Sequence, residues 1–232
     1  MRRLYDQLLM RQLRIANSQL RKAGTRAIVL EGDSGIGKSV LVIETLRALG
    51  YTELTKDSPS CSNGKHYYYL TPTDLEEMET ILIKAFHEGA IVVVDELNTL
   101  SPLEALLNDL LSGRYKNQPA QQEGFMLIGT QNPANKYKNR KILSKALANR
   151  ARVETIDNYP VEELEEIVTA ITHDLDTAKK ETQTFEIAKN YATAFHKHPE
   201  PTPRDLCRKT KLLSANTRME IENDAATTVF TT

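Results

Sequence analysis

The eight residues Gly32-Asp33-Ser34-Gly35-Ile36-Gly37-Lys38-Ser39 constrain this chain more than any other stretch. They stand between an apolar run, Ala27-Ile28-Val29-Leu30, and a helical pattern from Lys38 to about Leu49 that Gly50 closes. A short unbroken apolar run suits a strand covered on both faces, and so a parallel sheet with helices on each side. Glycines let successive backbone N–H groups turn inward around an anion, and the amino terminus of the next helix adds partial positive charge there.

Gly32 and Gly37-Lys38-Ser39 fill every fixed position of the Walker A pattern. The expected cradle runs from Gly32 through Asp33, Ser34, Gly35, Ile36, Gly37, Lys38 and Ser39 to Val40, with Lys38 reaching the β- and γ-phosphates of a nucleotide. Ser39 is expected to offer its hydroxyl to Mg²⁺. Val92-Val93-Val94-Asp95-Glu96 supplies the partner motif: an apolar strand carries Asp95 to the carboxyl edge of the sheet, where it can hold Mg²⁺ through water. Glu96, one residue further, is positioned to polarise a water for attack on the γ-phosphate. On its own, a strand ending in Asp-Glu is an ordinary strand end meeting solvent; behind a Walker A loop it is far more specific. The nearest approach to a guanine-reading Asn-Lys-x-Asp motif is Asn135-Lys136-Tyr137-Lys138, which lacks the carboxylate. ATP is therefore favoured over GTP.

Strand patterns at 26–31, 66–70, 91–95, 125–130 and 152–156 alternate with helical patterns, among them a capping box from Thr73 and Glu76 opening a helix to about Glu88, and Ser101-Pro102 opening one through Leu111. Residues 3–22 carry a rough helical stripe, and 51–65 reads as a polar loop. After Pro160 the β signal stops, and helices are expected at about 161–174, 182–197 and 204–215. The fold class is α/β: a P-loop parallel sheet with flanking helices over 1–157, then a small α-helical lid over 158–217 and a polar tail over 218–232.

Thirty basic and thirty-one acidic residues leave a net charge of −1, so neither nucleic acid nor an anionic membrane is indicated as a partner. Two distant cysteines, Cys61 and Cys207, argue against a disulfide framework or structural zinc, and no apolar run approaches the ~20 residues of a membrane span. A cytoplasmic location is expected. His196-Lys-His198 has no third ligand nearby and reads as a solvated helix end. Tyr67-Tyr68-Tyr69 reads as a strand alternating between core and surface, with an exposed aromatic grip as the other possibility. The basic stripe Arg204, Arg208, Lys209 and Lys211 fits a lid facing ATP.

Ile91-Val-Val-Val-Asp-Glu-Leu-Asn98 with Pro102-Leu-Glu-Ala-Leu106 resembles the AAA+ superfamily, in the branch of dynein-like, midasin-like and MoxR-like modules. So does Gly129-Thr-Gln-Asn-Pro133, followed by Leu143-Ser-Lys-Ala-Leu-Ala-Asn-Arg150. The resemblance implies that Asn132 is sensor 1, positioning the attacking water. It implies that Arg150 is an arginine finger entering a neighbouring subunit's site, with Arg152 the competitor; Ala151 stands where the family usually has an aromatic. Thr202-Pro203-Arg204-Asp205-Leu206 resembles the start of the lid helix, with Arg204 as sensor 2. It further implies ATP hydrolysis in a homo-oligomeric ring, such as a hexamer, or in a tandem module of a larger chain, acting on a macromolecular partner. The alternatives are a nucleotide-binding structural module with little turnover and a GTP-driven motor.

Overall fold

The computed structural model describes residues 26–58, 65–73, 75–137 and 141–157, with Asp6, Leu8, Leu9, Arg11, Glu163, Arg204 and Arg208 as isolated positions. The chain falls into two compact units, residues 1–33 with 38–156, and residues 34–37 with 157–232. In the second unit Gly35 and Gly37 take left-handed φ angles of 80° and 81°, and Glu163, Arg204 and Arg208 are helical and exposed. The expected lid helices and polar tail otherwise lie outside the described residues, as do His196 and His198.

In the first unit, β1 (Ala27–Glu31) is followed by α1 (Lys38–Ala48), β2 (Thr52–Leu54) and β3 (His66–Leu70). Then come α2 (Leu75–Glu88), β4 (Ile91–Val94), two 3-10 turns (Leu97–Thr99 and Ser101–Leu103) and α3 (Glu104–Leu111). A hairpin of β5 (Arg114–Tyr115) and β6 (Gln118–Pro119) precedes β7 (Met126–Gln131), α4 (Lys145–Ala148) and β8 (Ala151–Thr155). Six strands form one sheet in the order β2-β3-β4-β7-β1-β8, and every neighbouring pair is parallel. The carboxyl ends of β1, β4 and β7 therefore meet at one edge.

The period of two along each strand divides the core. Ala27, Val29, Val92, Val94 and Leu127 face α2 and α3, packing with Met78, Leu82, Phe86, Leu107 and Leu110. Ile28, Leu30, Ile91, Val93, Met126 and Ile128 face the other way, onto Val42 and Leu46 of α1. Leu8 joins that second cluster with no exposed surface, and Asp6, Leu8, Leu9 and Arg11 are helical, as the amino-terminal stripe suggests. Arg11 is buried with it and donates to the carbonyls of Gly89 and Gly124 and to the Tyr51 hydroxyl. Each apolar side chain buried here contributes about 1.5–3 kcal/mol, which two covered faces multiply.

Two β elements differ from the sequence expectation. The segment read as a loop over 51–65 includes β2, because Thr52, Glu53 and Leu54 pair in register with His66, Tyr67 and Tyr68; at a sheet edge, polar residues are compatible with a strand. The β5–β6 hairpin carries no alternating apolar signal. Its turn rests on Lys116 and Asn117 at φ 48° and 63°, a mirror-image turn that needs no glycine when asparagine takes one position. The Leu97–Thr99 turn and α4 also have no counterpart in the sequence expectation, and the helix expected from Ser101-Pro102 opens as a 3-10 turn before α3. Strand ends shift by single residues, β7 running to Gln131 and β8 beginning at Ala151.

Candidate active site

β1 delivers the chain to Gly32, whose N–H donates to the Gln131 carbonyl at 3.2 Å, while Gln131 Nε2 donates to Glu31 Oε2 at 2.7 Å. The base of the glycine loop is thus tied to the end of β7. Lys38 opens α1 with only 8% exposure. Its Nζ donates to the carbonyls of Gly32 (2.9 Å) and Asp33 (2.8 Å) and to Asn132 Oδ1 (2.9 Å). The Asp33 carboxylate in turn takes both oxygens to Lys136 Nζ at 3.1 Å. Val40, beside Ser39, is 62% exposed.

Asp95 is the hub of the cluster. Its Oδ1 accepts from Ser39 Oγ (3.0 Å), from Thr130 Oγ1 and from the Glu96 N–H (3.2 Å). Its Oδ2 accepts from the Tyr69 hydroxyl at 3.1 Å. Burial first, and the Asp95 charge second, push the Tyr69 phenol above its ordinary pKa, so it remains an O–H donor at neutral pH. Both carboxylate oxygens are oriented by charge-assisted hydrogen bonds, the strong class of such bonds.

Glu96 sits at φ 52° and ψ 44°, a left-handed conformation that costs a side-chain-bearing residue about 1–2 kcal/mol. The following 3-10 turn holds it there. Thr99 donates to the Glu96 carbonyl through its N–H (2.9 Å) and its hydroxyl (2.8 Å). Leu97 packs directly on Gly129, where a Cβ would fall 2.6 Å from the leucine side chain. Gly129 is needed because the turn must drop onto β7 for Glu96 to stand where it does. Strain of this kind is found where geometry serves chemistry.

Asn132 lies at the end of β7 and is buried. Besides its side-chain bond to Lys38, its carbonyl accepts from Asn98 Nδ2 at 2.9 Å. Lys38, Ser39, Asp95 and Asn132 are thus brought together, with Glu96 adjacent to Asp95. Arg150 is placed elsewhere. It precedes β8, whose Ala151 pairs with Ala27 at the amino end of β1. Five residues of strand separate that end from Gly32, about 16 Å at the usual rise. Arg150 donates to Ser112 Oγ (3.0 Å) and the Ala146 carbonyl (2.8 Å), and is exposed. Arg152 lies within β8 and pairs with Glu154. Arg204 belongs to the second unit.

The donors around Asp95 are hard oxygens, the type Mg²⁺ prefers. Among the described residues no group of three or more His, Cys, Asp or Glu forms a metal cage. Ser39 and Asp95 fit an ion that completes its shell with phosphate oxygens and water, which is how Mg²⁺ is usually held. Tyr67 and Tyr68 are both 1% exposed, on opposite faces of the sheet, so the expected alternation between core and surface does not hold: both faces of β3 are covered, and each tyrosine enters a core cluster. Tyr69 is a site residue that the sequence reading missed; the only signal was that its strand ends beside β4, whose carboxyl end carries Asp95. Among the described residues no helix is long and apolar enough to cross a membrane.

Residues 27–151 match the family described as AAA domain (dynein-related subfamily). The chain is 36% identical over 154 residues to midasin of Dictyostelium discoideum and 31% identical over 154 residues to midasin of Giardia intestinalis. Each match covers 61% of this chain but spans only 3% of the relative's length.

Proposed function

The chain belongs to the dynein-related subfamily of AAA domains, and on that premise we propose that it binds ATP with Mg²⁺ and hydrolyses it at the cluster around Lys38 and Asp95. The observation that carries the reading is the bond from Ser39 to Asp95, which joins the glycine-loop helix to the end of β4 across 56 residues of chain. Lys38 exchanges its carbonyl and Asn132 acceptors for the β- and γ-phosphate oxygens. Ser39 and Asp95 would hold Mg²⁺, which would supply positive charge to offset that of the phosphates. Glu96 accepts a proton from the attacking water, and Asn132, released by Lys38, orients that water. The γ-phosphate leaves as inorganic phosphate, and ADP remains.

Arg150 is the proposed trans finger, with Arg152 the competitor. The position of Arg150, a sheet length away from its own Gly32, supports a role in a neighbouring copy. The active assembly is then a ring, such as a hexamer, or a row of such modules within a longer chain. Arg204 is the proposed sensor 2, and turnover is coupled to remodelling a macromolecular partner.

The test is Glu96→Gln. Turnover should fall by about 10²–10⁴-fold while ATP affinity, measured by equilibrium binding, stays within a few-fold of wild type. Unchanged turnover would remove Glu96 from the reaction. Competition with GTP in the same assay tests the nucleotide preference.

A further inference from the structure

β3 carries three tyrosines: Tyr67 and Tyr68 are fully buried in the core, while Tyr69 packs against its edge and is partly buried. Tyr67 and Tyr68 point to opposite faces, and each hydroxyl ends on a carboxylate other than Asp95: Glu53 at 2.9 Å and Glu88 at 2.8 Å. Tyr69 pairs in register with Val93, two residues before Asp95, so its ring lies along the sheet toward the carboxyl edge. Its hydroxyl then meets Asp95 Oδ2, the oxygen that Ser39, Thr130 and the Glu96 N–H leave to it.

We infer that Tyr69 is a positioning residue for the metal: it fixes the rotation of the Asp95 carboxylate, and so sets how tightly the site retains Mg²⁺. Rotation about the Cβ–Cγ bond carries both oxygens together, so donors on Oδ1 and on Oδ2 oppose the same turn from opposite sides. The bond from Tyr69 supplies the restraint on the Oδ2 side and stiffens the hub in one orientation before nucleotide arrives. Outer partners that orient a ligating carboxylate commonly govern metal affinity by an order of magnitude or more. This inference rests on the proposed role of Asp95 and assigns its control to a residue outside the two motifs.

The experiment compares Tyr69→Phe, which keeps the ring and loses the hydroxyl, with Asp95→Asn and wild type. Binding of a fluorescent ATP analogue is titrated with Mg²⁺ at fixed nucleotide, and repeated in EDTA; thermal unfolding is followed in parallel. For Tyr69→Phe the Mg²⁺ midpoint is expected to rise about tenfold, with metal-free nucleotide affinity unchanged. A purely structural tyrosine would lower the unfolding temperature and leave the Mg²⁺ midpoint alone, which overturns the inference. If Asp95→Asn moves the midpoint and Tyr69→Phe does not, the inference fails while the reading of Asp95 stands. If neither moves it, both fail.

Discussion

The two ends of the same parallel sheet are built on opposite principles. At the carboxyl end, side chains from α1, β3, β4 and β7 close on one another: Lys38 with Asn132, and Ser39, Thr130 and Tyr69 with Asp95. Lys38 and Asn132 are each only 8% exposed, and Glu96 is held in a strained backbone beside them. At the amino end, Arg150 and Arg152 are set in solvent on either side of the first residue of β8. The acceptors of Arg150 among the described residues are a hydroxyl and a carbonyl, both neutral, so its charge is not consumed locally. One end is organised to act on what enters it. The other presents a cation outward. The proposed ring of identical copies would use both.

The sharpest way to break this contrast is Arg150→Ala. A finger supplied in trans is worth about 10³-fold or more in turnover, so a loss of that size is expected at protein concentrations where copies associate. Wild-type turnover per chain should also fall on dilution. Folding stability should change by no more than about 0.5 kcal/mol, as for other surface substitutions. Activity that is flat with dilution and indifferent to Arg150 would make the amino end plain surface; a response in Arg152→Ala instead would move the finger two residues along.

Lys38→Ala acts on the closed end and by a smaller factor. Hydrogen bonds to charged groups contribute about 1.5–3 kcal/mol each, so loss of one or two phosphate contacts predicts about 100-fold weaker ATP binding by equilibrium titration. Binding that survives intact would mean that Lys38 stays on its own loop carbonyls when nucleotide is present.

Much of the closed end is legible in sequence because a phosphate cradle demands fixed residue types at short, fixed intervals. Gly32, Lys38 and Ser39 lie within eight residues, Asp95 and Glu96 terminate a run of valines, and Asn132 follows a strand of the same kind. The alternating strands and helices follow from the same apolar runs. What stays hidden depends on lateral pairing. Tyr69 reaches Asp95 only because β3 lies beside β4 in a particular register, and nothing local distinguishes it from Tyr67 or Tyr68. Asn98, which holds the Asn132 carbonyl, and Arg11, which reaches Gly89 and Gly124, are likewise set by contacts distant in the chain. β2 escapes for the converse reason: its polar residues look like loop until an edge pairing is supplied.

The smallest effect separates geometry from chemistry at Glu96. Glycine accepts φ 52° without the steric penalty, which recovers about 1–2 kcal/mol. Against this, its freer unfolded chain costs about 0.5–1 kcal/mol. Glu96→Gly should therefore be more stable than wild type by about 0.5–1 kcal/mol in urea unfolding of the nucleotide-free protein, while losing hydrolysis as Glu96→Gln does. Glu96→Gln keeps a Cβ, so it should show no such gain. Stability gained only by the glycine variant would identify the left-handed backbone as strain retained for the carboxylate. Equal stability in all three proteins would mean that the bonds from Thr99 and the seat of Leu97 on Gly129 make this conformation locally comfortable, and the closed end would then owe its precision to hydrogen bonding alone.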